Sequence, residues 1–203
     1  MKSSQSLTNS FFNINSLKEY KNILKNGGIF AYPTDTVWGI GCLADNEIGI
    51  KKIYEIKNRE KNKPLILLGS KIEDFLPYIE SWPIEAKSLA TQYWPGALTI
   101  IVKKAKQTPD FITSGLDTIG LRIPNHPVLQ EFLSHTGVIA STSANLSGEK
   151  PSTTFEETQK SIGSSMDFII KDRGILAKGI ASTIVLIENN NYKVLREGNI
   201  KIL

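Results

Sequence analysis

Only four arginines occur in the chain, Arg59, Arg122, Arg173 and Arg196, against twenty lysines. Isoleucine and asparagine are abundant, with 27 and 14. We read this as the hypothesis of an AT-rich gene that turns Arg into Lys wherever a point charge suffices; codon usage in the same genome tests it. Surviving arginines would then mark places needing a planar fork, able to grip a carboxylate or phosphate in a bidentate manner. Arg59 lies in IKNREKNKP beside Lys57, Lys61 and Lys63, a charge density that suits phosphate groups. Lys57 stands seven residues after Ile50 on a helical apolar stripe, so it either snorkels to water or points into a cleft. Arg122 interrupts the strand pattern TIGLRIP. Alternation places it with Gly120, opposite Ile119, Leu121 and Ile123. Either a protein carboxylate or a ligand carboxylate could fix it there. Arg196 repeats the theme in LREG, and Arg173 in KDRG has no evident role.

Two further segments are dense in small hydrogen-bonding groups: YPTDTVWGIG, with Thr34, Asp35 and Thr36, and STSANLSGEKPSTT, from Ser141 to Thr154. A strand-exit turn explains the first equally well. The second follows a buried strand, and its hydroxyls and the Asn145 amide could surround a polar ligand. No phosphate-binding GxxxxGK[ST] or GxGxxG occurs. His126 and His135 have no partners for a nucleophilic relay and cannot alone make a tetrahedral zinc site. Cys42, the only cysteine, excludes an internal disulfide and fits a reducing cytoplasm. No residue reads as an obvious nucleophile or base, which points to chemistry by positioning and charge stabilisation.

The elements that must hold these groups alternate between apolar runs and amphipathic stretches. Strands are expected at GIFAY, PLILLG, ALTIIVKK, TIGLRI, GVIAS, STIVLIE and YKVLRE, the last two as a hairpin across NNN. Helices are expected at SLKEYKNILKN, at NEIGIKKIYEIKN with Asp45 or Asn46 as its N-cap, at PIEAKSLATQYW, at HPVLQEFLSHTG and at TTFEETQKSIG. This is an α/β pattern: a twisted mixed sheet flanked by helices, with ligands expected beyond strand ends. The 203 residues suffice for one domain with a real core, and apolar content is an ordinary 40%. No run is long enough to span a membrane, and the N-terminus does not read as a secretory signal. A net charge of +4 favours anionic partners mildly.

Six segments in order, YPTDTVWGIG, KIYEIKNREKNKPLILL, WPGALTIIV, TIGLRIPNHPV, STSANLSG and STIVLI…LREG, resemble the YrdC-like threonylcarbamoyl-AMP synthases. The resemblance runs from about Gly27 to Gly198. It implies a YrdC-like fold with a basic concave cleft, as one catalytic domain over residues 15–203 after a flexible segment over 1–14. It implies a nucleotidyltransferase that makes threonylcarbamoyl-AMP and pyrophosphate from L-threonine, bicarbonate or CO2, and ATP. Mg2+ would ride on the ATP phosphates, with no metal site of the protein's own. The product would pass to the tRNA threonylcarbamoyl transferase complex for the modification of adenosine 37, with tRNA or double-stranded RNA as a further contact and no membrane.

By resemblance, Lys57 and Arg59 form a catalytic basic pair, while Thr36, Arg122, Ser143 and Ser182 would bind L-threonine. Arg59, Lys63, Thr118, Asn145, Ser152, Thr153 and Arg196 would bind ATP. Trp38 replaces the Tyr usual in the family, and Leu68 stands where some relatives have His. Three alternatives remain at this point: an RNA-binding module without catalysis, a related enzyme forming a carbamoyl-adenylate, and a regulatory protein on the same fold.

Overall fold

The computed structural model describes residues 10–60, 62–189 and 191–202. Its centre is a nine-stranded mixed sheet. The strands are β1 (Phe30–Tyr32), β2 (Gly39–Leu43), β3 (Ile66–Leu68), β4 (Leu98–Lys103), β5 (Thr118–Arg122), β6 (Ile139–Ser143), β7 (Phe168–Ile169), β8 (Thr183–Glu188) and β9 (Asn191–Arg196). Their order across the sheet is β7-β1-β2-β6-β3-β5-β4-β8-β9. Pairs β7/β1, β3/β5 and β4/β8 are parallel and the others antiparallel.

Among the described residues six α-helices flank it: α1 (Ile14–Lys25), α2 (Glu47–Ile56), α3 (Ile84–Tyr93), α4 (Asp110–Thr113), α5 (Pro127–Thr136) and α6 (Phe155–Ile162). Short polar side chains start three of them. Asn13 accepts from the Ser16 amide, Asn46 from that of Gly49 and Thr154 from that of Glu157, each filling an orphan donor of the first turn. The helix expected after Asp45 or Asn46 is thus capped by Asn46. Of the leading segment over 1–14, residues 1–9 lie outside the described residues. Ser10 donates to Glu131 on α5 at 2.5 Å, and the Phe12 ring packs on Tyr20 and Phe132.

Period-two alternation divides the core. Ile29 and Ala31 join a cluster with Ile40, Cys42, Leu67, Leu98, Ile100, Leu121 and Val185, over which Ile50 and Ile53 of α2 and Ala86 and Leu89 of α3 pack. Phe30 and Tyr32 point the other way, into a smaller cluster closed by Leu17 and Leu24 of α1 and by Leu129, Phe132 and Leu133 of α5. On that second face, a hollow opens over β3, β4, β5, β6 and β8.

The sequence reading missed β2, because GIGCL looks like a turn. Two glycines are there for packing: a Cβ on Gly39 would lie 2.7 Å from the Tyr32 ring, and one on Gly41 would lie 2.8 Å from the Ala140 carbonyl oxygen. The 3-10 turn Ile72–Tyr78, the four-residue α4 and the two-residue β7 were also not anticipated; each is too short to show a period.

Candidate active site

The hollow is a cavity of about 330 Å³. Its floor is one face of the sheet. Ile66 and Leu68 of β3, Thr99 and Ile101 of β4, Arg122 of β5, Ser141, Thr142 and Ser143 of β6, and Ile184 of β8 all reach it, while Leu67, Ile100, Leu121 and Val185 turn into the core. Arg122 sits in the floor because Leu68 is its register partner on β3 and its alternation is that of the strand.

Arg122 is almost fully buried. Its Nη2 lies 2.6 Å from Asp35 Oδ1, its Nη1 donates to Thr36 Oγ1 at 2.9 Å and its Nε to the Gly96 carbonyl at 2.9 Å. Burial pulls its pKa down, and the Asp35 carboxylate opposes that pull. Of the two candidates for fixing this residue, the protein carboxylate is in place. The turn before β2 presents both partners. Thr34 Oγ1 accepts from the Thr36 amide at 3.0 Å and donates to the Val37 carbonyl at 2.7 Å. The chain ahead of β8 straps this turn from outside, with the Gly179 amide donating to the Thr36 carbonyl at 2.7 Å.

Arg59 and Arg196 stand elsewhere on the same wall. Arg59 donates from Nε to the Lys63 carbonyl and from Nη2 to the Pro64 carbonyl, both at 3.0 Å. Arg196 donates to the Ser182 carbonyl from Nε at 3.1 Å and from Nη2 at 2.8 Å. The Ser182 hydroxyl meets Thr99 Oγ1 at 2.8 Å. Beneath the floor, the buried Tyr32 hydroxyl donates to Ser141 Oγ at 2.5 Å, and burial raises the phenol's pKa.

Lys57 does neither of the two things its position suggested. It is 1% exposed, and its Nζ donates to the Ser143 carbonyl at 2.7 Å and to the Asn145 carbonyl. Its own carbonyl accepts from the Ser147 amide at 3.1 Å. The residue thus staples the end of α2 to the loop after β6. Burial brings the amine down to about 8, helped by the nearby Arg59 charge and opposed by Glu149.

The cavity wall therefore brings together Thr36, Arg59, Arg122, Ser143, Ser182 and Arg196. Lys57, Lys63, Thr118, Asn145, Ser152 and Thr153 are not on it. Lys63 pairs with Glu60 at 2.8 Å, and Thr118 opens β5 opposite Lys103. Ser152 and Thr153, with Lys150, line an adjoining hollow of about 460 Å³ that shares Pro151 with the first. Asn145 donates twice, to the Leu146 and Glu149 carbonyls, and leaves its buried Oδ1 without a hydrogen-bond partner.

Trp38 and Leu68, the two residues read above as departures from the family pattern, both line the cavity. Trp38 meets Phe155 edge-on, with centroids 6.1 Å apart. Sequence reasoning missed Thr99. As the one polar residue in the apolar run LTIIV, it carried a signal. Among the described residues no group of three or more His, Cys, Asp or Glu could hold a metal, and no helix is long and apolar enough to cross a membrane.

Residues 22–198 match the family model Sua5_yciO_yrdC, described as "Telomere recombination". The chain belongs to the Sua5/YciO/YrdC family. Within it, the threonylcarbamoyl-AMP synthase of Vibrio parahaemolyticus is 34% identical over 161 residues, covering 78% of this chain and 87% of that protein. A protein of Methanocaldococcus jannaschii named as a putative threonylcarbamoyl-AMP synthase is 37% identical over 189 residues, covering 92% of this chain and 87% of its own length. Among solved structures, P. abyssi Sua5 complexed with L-threonine superposes with a TM-score of 0.85 at 30% identity. That match covers 92% of this chain, which spans 55% of the Sua5 chain. The expected α/β architecture, a mixed sheet flanked by helices, is the fold of these family members.

Proposed function

We propose that this Sua5/YciO/YrdC protein is an L-threonylcarbamoyladenylate synthase, a nucleotidyltransferase acting on L-threonine, bicarbonate or CO2, and ATP. One observation supports this reading above the others: three guanidinium groups, Arg59, Arg122 and Arg196, converge with the Thr36, Ser143 and Ser182 hydroxyls on a single cavity. The carboxylate of an amino acid needs one cationic donor, and a triphosphate needs several. Arg122 has used three of its five N–H groups and keeps two for the threonine carboxylate. Arg59, held by the Lys63 and Pro64 carbonyls, and Arg196, held by the Ser182 carbonyl and hydroxyl, meet the phosphates. The sugar and base then extend past Pro151 into the adjoining hollow with Ser152 and Thr153.

In this scheme the threonine nitrogen attacks CO2 and releases a proton to give a carbamate. The carbamate oxygen attacks the α-phosphorus, the bond to the β-phosphate oxygen breaks, and pyrophosphate leaves. The chain aligns the reactants and balances the growing charge. Arg59 touches the reacting phosphates, while Lys57 acts behind it by fixing the Ser143 loop. The wall carries no Asp or Glu, so the donor set fits Mg2+ held by phosphate oxygens and water. Such an ion would screen phosphate charge. The product, a mixed anhydride, passes to the tRNA threonylcarbamoyl transferase complex for the adenosine 37 modification.

The test is pyrophosphate release from ATP with L-threonine and bicarbonate omitted in turn. Dependence on both is expected. Release that ignores threonine would refute the assignment.

A further inference from the structure

Only one of the three cavity arginines carries its own counter-charge. Arg122 is ion-paired with Asp35, whose Oδ1 also accepts from the Asn125 amide at 3.0 Å. Arg59 and Arg196 bond to backbone carbonyls, and neither forms an ion pair among the described residues. Carbonyls orient a guanidinium without cancelling its charge. Since the wall itself holds no carboxylate, the cavity is electrically divided. It has full positive charge at Arg59 and Arg196, and a hydrogen-bonding but nearly neutral fork at Arg122.

We propose that Asp35 is a specificity-determining residue: it cancels the charge of Arg122, so that this end of the cavity takes a net-neutral zwitterion and polyphosphate is left to Arg59 and Arg196. The inference rests on the amino-acid and nucleotide reading of the cavity. Its physics is simple. A free amino acid brings an ammonium along with its carboxylate, and the local charge stays balanced. A polyphosphate at the same fork would set further negative charge close to Asp35, and like charges at that range repel strongly. Both ligands present anionic oxygens to a small space. Without this discrimination, pyrophosphate or the ATP tail would occupy the amino-acid end and block the reaction. Asp35 is not a wall residue, so it acts through Arg122 and through its field.

The test is Asp35→Asn, which keeps the shape and an acceptor for the Asn125 amide but removes the charge. Inorganic pyrophosphate is titrated calorimetrically into wild-type protein and variant, with and without L-threonine. In the wild type, pyrophosphate is expected to bind one site and leave threonine binding in place. In the variant it is expected to gain a second site and displace threonine competitively. A neighbouring charge moves such equilibria by about one to three pKa units, so pyrophosphate at Arg122 is expected to tighten about tenfold or more. A merely structural role would weaken both ligands together and create no competition. The proposal is overturned if the folded variant takes no more pyrophosphate than the wild type. It is equally overturned if pyrophosphate already displaces threonine competitively from the wild type, a measurement that needs no variant. A wild type that binds no L-threonine even with ATP present would instead overturn the amino-acid reading of the cavity, and this inference with it.

Discussion

Lys57→Met keeps the length of the side chain and deletes the amine that staples α2 to the loop after β6. The wild-type amine makes hydrogen bonds to two carbonyls, those of Ser143 and Asn145. Bonds of that charged kind contribute roughly 1.5–3 kcal/mol each. Against them stands burial, which draws the amine from 10.5 to about 8. At about 1.4 kcal/mol per pKa unit, that opposes the ammonium by roughly 3 kcal/mol. The balance predicts a loss at neutral pH of up to about 3 kcal/mol, with the two abandoned carbonyls pushing it towards the upper end. For a chain of this size the melting temperature would fall by about 5–10 °C.

The pH dependence has a definite sign. Between about 8 and 10.5 the unfolded chain holds a proton that folded Lys57 has released, so wild-type stability rises with pH across that window. Met cannot titrate, so the gap between the two proteins should widen from pH 7 to pH 10. Urea denaturation at several pH values measures both effects. Equal midpoints at pH 7 would refute the staple, and a gap that stays constant up to pH 10 would refute the lowering of the amine by burial.

Four other outcomes are expected. Arg122→Lys loses the two-pronged contact and should weaken threonine use about 10–100-fold, more than ATP use, in initial-rate measurements; equal losses would count against the assignment. Arg59→Lys should raise the ATP requirement, and an unchanged ATP dependence would remove Arg59 from the phosphate site. His126 is fully buried, and burial holds its pKa below 6.5 against the Ile175 carbonyl and the Asp35 and Asp172 charges. Its neutral form therefore supports the fold above 6.5, and that support is lost as the pH falls below it; denaturation at pH 7.5 and 5.5 should show the loss in wild type and less of it in His126→Asn. Gly39→Ala drives a methyl to within 2.7 Å of the Tyr32 ring and should cost about 1–3 kcal/mol. Adding Tyr32→Leu should then cost less than the two changes measured separately.

The sequence exposed the long elements because burial on a sheet or helix leaves a period. Ile119, Leu121 and Ile123 announced their strand, and with it the opposite facing of Arg122. The same logic failed at Gly39–Leu43, where alternate residues are glycines shaped by neighbours on the paired strands, the Tyr32 ring at Gly39 and the Ala140 carbonyl at Gly41, which the local pattern does not show. The site was legible where a residue type is chemically costly to place, as with an arginine in an apolar strand. It was least legible where function depends on who already holds whom. Nothing in IKNREKNKP says that Lys57 turns inward to two carbonyls while Arg59 turns to the cavity. Nor does PTDT reveal that Asp35 neutralises a residue 87 positions away. Those facts belong to strand order, which the chain encodes only through its packing.

One of the two edge strands, β9, carries Arg196, whereas Arg122 lies on β5 near the middle of the sheet. Marginal strands open first, so amides of β9 should exchange with deuterium sooner than those of β5. On the proposed reading of the cavity, each such excursion would carry the phosphate contact of Arg196 away and leave the amino-acid fork assembled. Nucleotide residence time could thus be tuned by changes in the β8–β9 hairpin alone, a handle available to evolution or to a partner that pins the sheet margin.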